Sequence, residues 1–200
     1  MKSKRLGIYS GAFDPVHIGH ITFALQAMRV ANLDEIYFLP ERRPRHKLGV
    51  EHFGHRVAML RQAIKPHPKF HIIELTDISF SVEYTLPKLK TQFAGDQLVF
   101  LFGSDVIPTL GDWPKVDRLL KDAELVIGLR QHTDLKRIKQ QIEQLPIQSS
   151  AVSIISSYAP TISSGKVRSA LRRGTRAEGM LTSVERYSNQ NWLYVSLPVE

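Results

Sequence analysis

The chain has 200 residues, of which 42% are hydrophobic and 23% are charged. These values predict a single globular domain over residues 1–200, with a core that needs no disulfides. The absence of cysteine excludes thiol catalysis and cysteine-ligated zinc and favours a cytoplasmic location. The net charge of +8 favours anionic partners, and we expect neither a signal peptide nor a membrane span because the apolar runs are too short.

Strand-like and helix-like segments alternate along the chain. Short apolar runs predict strands at residues 6–10, 35–39, 70–75, 97–102, 124–129 and 151–155. Apolar residues at helical spacing predict helices at 18–31, 52–64, 82–92, 134–145, 166–172 and 180–188. This order predicts an α/β fold in which helices cover both faces of a doubly wound, mostly parallel sheet.

The most informative segment runs from residue 7 to residue 20. A predicted strand ends at small residues, the chain turns through Asp14 and Pro15, and a helical pattern begins near His17. Unpaired N–H groups at a helix start attract phosphate, and His17 and His20 share one helical face because they are three residues apart. We interpret the segment as an anion-binding loop. The simpler alternative is a surface turn with two solvated histidines.

Three further polar segments, at residues 40–47, 103–105 and 161–168, also follow predicted strands. Ligands of open parallel sheets bind at the carboxyl ends of the strands, so we expect all four segments to meet at one edge. The first of the three is strongly basic, which suits contact with a triphosphate, although most charge runs are solvated loops.

Four single residues in the later segments have chemistry that suits a nucleotide. Ser163 can cap a helix, and Arg168 lies about one turn further on, where both would face one phosphate. Asp105 can accept hydrogen bonds from sugar hydroxyls, and Trp113 offers a face on which a pyridine ring could stack. The simpler alternatives are an ordinary capped helix for the first pair, and an N-cap and a core tryptophan for the second.

The first loop carries a recognisable motif. It resembles the signature of the nucleotidyltransferase superfamily with the HxGH motif, through Gly11-x-Phe13-Asp14-Pro15-x-His17-x-Gly19-His20. Within it, the chain is most similar to nicotinate/nicotinamide mononucleotide adenylyltransferases. The resemblance implies a Rossmann-like nucleotidyltransferase fold whose closing helical segment lies near residues 180–194. It implies that AMP passes from ATP to the 5′-phosphate of nicotinate mononucleotide, giving deamido-NAD and pyrophosphate in NAD biosynthesis.

The resemblance also implies roles for particular residues. Catalytic roles fall on His17, His20, Lys47 and Arg168. ATP would be bound by Ser10, Gly11, Phe13, His17, Gly19, His20, Ile162, Ser163, Ser164 and Arg168. The mononucleotide would be bound by Lys47, Thr85, Gly103, Asp105 and Trp113, with His46 as a further phosphate contact. No residue is predicted to ligate a metal, and Mg²⁺ would arrive bound to ATP.

Two positions depart from the family pattern. Gly165 replaces a threonine in the Ile-Ser-Ser-Thr motif, and Pro114 follows the tryptophan where the family offers a backbone N–H. The alternatives left open are nicotinamide mononucleotide, another phosphorylated acceptor, or a nucleotide-binding module without turnover. We predict ATP and a pyridine mononucleotide as partners and neither nucleic acid nor membrane. The sequence does not define an oligomeric state.

Overall fold

The computed structural model describes residues 3–45, 47–130, 134–147, 151–156 and 161–195. Within them, six parallel strands form one sheet in the order β3-β2-β1-β4-β5-β6. The strands are β1 (Arg5–Gly11), β2 (Glu35–Pro40), β3 (Phe70–Ile72), β4 (Gln97–Gly103), β5 (Glu124–Leu129) and β6 (Val152–Ser156). The predicted doubly wound α/β fold is confirmed, whereas the extent of a single domain over residues 1–200 stays a prediction.

The third strand is shorter than the sequence predicted, because it ends at Ile72 instead of residue 75. The Ile73 N–H still donates to the Phe38 carbonyl at 2.9 Å. The next donor on β2 would be Pro40, which has no N–H with which to continue the ladder. The strand therefore ends where its partner can no longer bond.

Eight helices occur among the described residues: α1 (Ile18–Val30), α2 (Phe53–Ile64), α3 (Thr85–Gln92), α4 (Ile107–Leu110), α5 (Val116–Asp122), α6 (Leu135–Glu143), α7 (Ser164–Arg172) and α8 (Thr182–Gln190). The predicted helix at 82–92 starts three residues later, so that Pro87 lies in its first turn, where a missing N–H costs nothing. The short helices α4 and α5 were not predicted. No helix in the described ranges is long and apolar enough to cross a bilayer.

Both faces of the sheet are covered by apolar packing. On β4, Val99 and Leu101 belong to one buried cluster, while Leu98, Phe100 and Phe102 belong to the other. Alternate residues of a strand point to opposite faces, so this division shows that helices pack on each side.

The strand order sets the position of the site. The chain moves outward from β1 through β2 to β3, and then returns to place β4 on the other side of β1. Loops that follow β1 and β4 diverge at this reversal and leave a crevice at the carboxyl edge of the sheet. The predicted polar segments at 11–20 and 103–105 follow these two strands.

Candidate active site

The loop between β1 and α1 is held by buried side chains. Phe13 is buried with φ 48°, and its ring packs edge-on to Tyr9 at 5.3 Å and to His20 at 5.2 Å between centroids. The buried Asp14 carboxylate accepts the Tyr194 hydroxyl at 2.7 Å. It also accepts the Glu51 N–H at 3.3 Å. These contacts fix the direction in which the loop enters α1.

The two motif histidines lie against each other at the start of α1. Their ring centroids are 3.8 Å apart, and the His17 N–H donates to Nδ1 of His20 at 3.1 Å. Because Nδ1 of His20 accepts this bond, the neutral ring carries its proton on Nε2 and can donate it. Nδ1 of His17 is buried and has no hydrogen-bond partner among the described residues.

Both imidazoles are neutral at physiological pH. Burial, aided by the nearby Arg130 charge, lowers the pKa of His17 from 6.5 to about 4. Burial lowers the pKa of His20 well below its ordinary value, and the charges of His17, Arg130 and Lys47 act in the same direction. The rings therefore offer hydrogen-bond donors without positive charge, and the cations around them supply the positive potential.

The start of α7 meets the first loop from far along the chain. The Ser164 hydroxyl donates to the Pro15 carbonyl at 3.0 Å, and the Arg168 guanidinium donates to the Asp14 carbonyl at 2.6 Å. Ser163 is the N-cap of α7, and its hydroxyl accepts from the N–H of Lys166 at 3.3 Å. The predicted meeting of the segments 11–20 and 161–168 is thus observed.

A cleft opens between these elements and the ends of β4 and β5. Its lining residues are Tyr9, His17, Gly19, His20, Phe23, Gly103, Gly128, Leu129, Arg130 and Ile162. Arg130 forms an ion pair with Asp105 at 2.9 Å. A Cβ at Gly128 would lie 2.7 Å from the Phe23 ring, so the cleft floor requires the absence of a side chain there.

The segment after β2 does not line the cleft, although the sequence predicted direct contacts with the substrate phosphates there. The Ser10 hydroxyl donates to the Glu41 carboxylate at 3.1 Å, and the Gly11 carbonyl accepts the Glu41 N–H at 3.0 Å. Lys47 is exposed and does not line the cleft, although its charge acts on His20. His46 lies outside the described residues.

A second, larger cavity of about 470 Å³ lies beside Trp113 and Thr85. The half-buried Trp113 ring packs against Phe80, with 6.1 Å between the centroids. The Thr85 N–H donates to the Ser81 carbonyl at 2.9 Å, and its hydroxyl donates to Asp77 at 2.9 Å. Of the five residues predicted to bind the mononucleotide, only these two line this cavity, and Gly103 lines the cleft instead.

Sequence reasoning missed Arg56, the largest fully buried side chain among the described residues. Its guanidinium donates to the carbonyls of Ala12 at 2.6 Å, Glu41 at 2.8 Å and Arg42 at 3.0 Å. A fourth bond reaches the Glu51 carbonyl at 2.8 Å. Arg56 thus ties the loop after β1 to the loop after β2. The available signal was an arginine three residues after Phe53, on the apolar side of its helix.

Gly179 was also missed. Its carbonyl accepts the first N–H of α1, from Ile18, at 2.9 Å. Its φ is +74°, and a Cβ at this position would lie within 3.0 Å of three side-chain carbons of Ile162. The residue therefore joins the segment before α8 both to the start of α1 and to the cleft wall.

No group of three or more His, Asp or Glu side chains among the described residues is placed to hold a metal ion. The nearest carboxylates already have partners, because Asp14 is bound by Tyr194 and Asp105 is paired with Arg130. The donor set suits anionic phosphates better than a bare cation.

Comparison with known proteins identifies the family. A model of the cytidylyltransferase-like family matches residues 8–170. The "Probable nicotinate-nucleotide adenylyltransferase" of Coprothermobacter proteolyticus is 34% identical over 199 residues, which is 97% of each chain. The nicotinate-nucleotide adenylyltransferase of Bacillus subtilis is 40% identical over 124 residues, covering 58% of this chain and 65% of the relative.

Solved structures support the fold assignment. Nicotinic acid mononucleotide adenylyltransferase from Plasmodium falciparum, complexed with APC, superposes with a TM-score of 0.77 at 20% identity, over 96% of this chain and 97% of that one. Its complex with NaAD gives a TM-score of 0.76. The chain belongs to the cytidylyltransferase-like family and, within it, to the nicotinate-nucleotide adenylyltransferases.

Proposed function

We propose that this chain transfers AMP from ATP to the 5′-phosphate of nicotinate mononucleotide, giving deamido-NAD and pyrophosphate. The observation that carries the proposal is the contact of Ser164 and Arg168 with the loop that bears His17 and His20. Two segments about 150 residues apart thereby form one polar cleft at the carboxyl edge of the sheet. The family membership agrees with this chemistry.

The reaction needs charge stabilisation more than it needs a base. An oxygen of the mononucleotide phosphate attacks the α-phosphorus of ATP, forming one P–O bond while the bond to the β-phosphate breaks. The attacking phosphate is already anionic at neutral pH, so no proton has to be removed from it. The barrier lies in bringing two anions into line and in stabilising the charge that moves onto pyrophosphate.

Residues that line the cleft and residues around it divide this work. Nε2–H of His20 donates to the phosphate oxygens, because Nδ1 accepts the His17 N–H and leaves the proton of the neutral ring on Nε2. His17 lies beside it with an unpartnered, buried Nδ1. Arg168 and Lys47 supply positive charge to the triphosphate, with Ser163 and Ser164 at the first turn of α7.

Further groups complete the ATP site that we propose. Gly11, Phe13 and Gly19 shape the phosphate loop, Ile162 closes one wall, and Ser10 orients the loop through Glu41. Mg²⁺ enters as part of the MgATP substrate and keeps most of its waters. A cytoplasmic location agrees with the supply of ATP there and stays a prediction.

The direct test is pyrophosphate release from ATP and nicotinate mononucleotide by the wild type and by His20→Ala. Removal of one donor to a developing charge in a closed site costs about 3 kcal/mol, so we expect turnover to fall by roughly hundreds-fold. The matched control is His67→Ala. It removes an imidazole just before β3, at the amino ends of the strands, whereas the cleft lies at their carboxyl ends. A wild type without pyrophosphate release refutes the function, and a variant that keeps half its turnover removes His20 from the mechanism.

A further inference from the structure

The cavity beside Trp113 has an uneven charge distribution. Arg45 is the single cationic side chain among the described residues that line it. Its Nε lies 3.4 Å from the Ser79 hydroxyl, and one terminal nitrogen lies 3.4 Å from the Phe80 carbonyl. Both partners are neutral, and no described carboxylate lies within ion-pair distance of Arg45. The exposed guanidinium of Arg45 therefore borders the cavity without an ion-pair partner among the described residues.

Several backbone donors on this wall are already used. Four backbone N–H groups of the lining residues have acceptors within the chain, namely those of Phe80, Ser81, Tyr84 and Thr85. Pro114, which follows the tryptophan, has no N–H to offer. Among the described lining residues, Arg45 is therefore the one that can pair with a negative group through an opposite charge.

Neither of the two acidic residues that line the cavity, Asp77 and Glu83, forms an ion pair with Arg45. Asp77 forms an ion pair with Lys88 and accepts the Thr85 hydroxyl, so its own charge is balanced. Glu83 is exposed and has no ion-pair partner among the described residues. The apolar surfaces of Phe80 and Trp113 form the remaining wall, on which a planar ring can stack.

We propose that Arg45 is a specificity-determining residue that pairs with the ring carboxylate of nicotinate mononucleotide in this cavity and thereby selects the acid over the amide. The inference rests on the proposed function, because it names the feature of the acceptor that the site reads. A carboxylate and a guanidinium form a bidentate, charge-assisted pair, whereas the neutral carboxamide of the nicotinamide compound gains no such pairing.

The experiment compares kcat/KM for nicotinate and nicotinamide mononucleotides, with ATP, in the wild type and in Arg45→Gln. We expect the value for the acid to fall at least about tenfold and the value for the amide to change less than about twofold. Arg45→Lys keeps the charge but not the planar guanidinium, so its kcat/KM for the acid should lie between the values of the wild type and Arg45→Gln. The matched control is Arg43→Gln, which removes the same charge from an exposed arginine in the same loop that lines neither cavity nor cleft.

Comparison of the two mononucleotides distinguishes a contact of Arg45 with the ring carboxylate from a contact with the 5′-phosphate. Both mononucleotides carry the same 5′-phosphate, so a phosphate contact of Arg45 would lower both values equally and would overturn the proposal. Unchanged values in Arg45→Gln, or a wild type that prefers the amide, would also overturn it. A wild type inactive with both compounds is a different result, because it refutes the proposed function itself.

Discussion

The buried His17 ring makes a quantitative prediction about stability and pH. Its pKa is lowered from 6.5 to about 4, chiefly by burial, and only 5% of the residue is exposed. In the unfolded chain the ring takes up a proton below about pH 6.5, while the folded protein resists protonation until about pH 4. The unfolded state therefore binds more protons in this window, and the free energy of unfolding falls as the pH falls.

The magnitude follows from the two pKa values. Integrating proton binding from pH 7 to pH 5 gives a loss of about 2 kcal/mol from this one residue. Below pH 4 the loss from His17 reaches about 3 kcal/mol, because each pKa unit of difference corresponds to about 1.4 kcal/mol. The burial of His20 acts in the same direction.

The assay is urea unfolding at pH 7 and pH 5 for the wild type, His17→Asn and His52→Asn. Asparagine is a good N-cap, and His17 and His52 are the N-cap residues of α1 and α2, so both variants place asparagine at an N-cap position. Between pH 7 and pH 5, we expect the free energy of unfolding of His17→Asn to fall by about 2 kcal/mol less than that of the wild type. His52 is exposed, and its variant should behave like the wild type. Equal losses in all three proteins would refute the reasoning.

Two further substitutions test the supports of the site. Arg56→Met leaves four backbone carbonyls without their donor, so we expect the free energy of unfolding to fall by about 3 kcal/mol. Calorimetry should show this as a fall in Tm of roughly 6–12 °C. An unchanged Tm would contradict the role of Arg56. Gly179→Ala should raise KM for ATP several-fold by pushing Ile162 into the cleft. Its control, Gly174→Ala, has a similar positive φ of +65° with open space around it, so equal effects would exclude the Ile162 contact.

The sheet was largely predictable because parallel strands buried on both faces are nearly continuous apolar runs. The segment 124–129 was predicted with its observed bounds, and the run at 97–102 was one residue short. The short helices α4 and α5 were missed because four and seven residues carry too little periodicity to stand out from a loop. Their helical state depends on packing against the second apolar cluster.

The site was predictable where chemistry is local and not where it depends on tertiary contacts. The stretch from Gly11 to His20 carries its own turn, helix start and imidazoles, so its role as the loop at the head of α1 was visible in the chain. Arg56 lies on the apolar side of its helix and Arg45 lies in a basic run typical of a solvated loop. Only the fold shows that the first is buried against four carbonyls and that the second borders a cavity.

The contacts of Asp14 and Ile18 also have a consequence for biosynthesis. Their partners Arg168, Gly179 and Tyr194 are translated much later, at separations of up to 180 residues. Closing such long stretches of chain carries an entropic cost that must be met late in folding. A nascent polypeptide on the ribosome therefore holds an unfinished phosphate loop, and competence for nucleotide chemistry should appear abruptly once these last partners emerge from the exit tunnel.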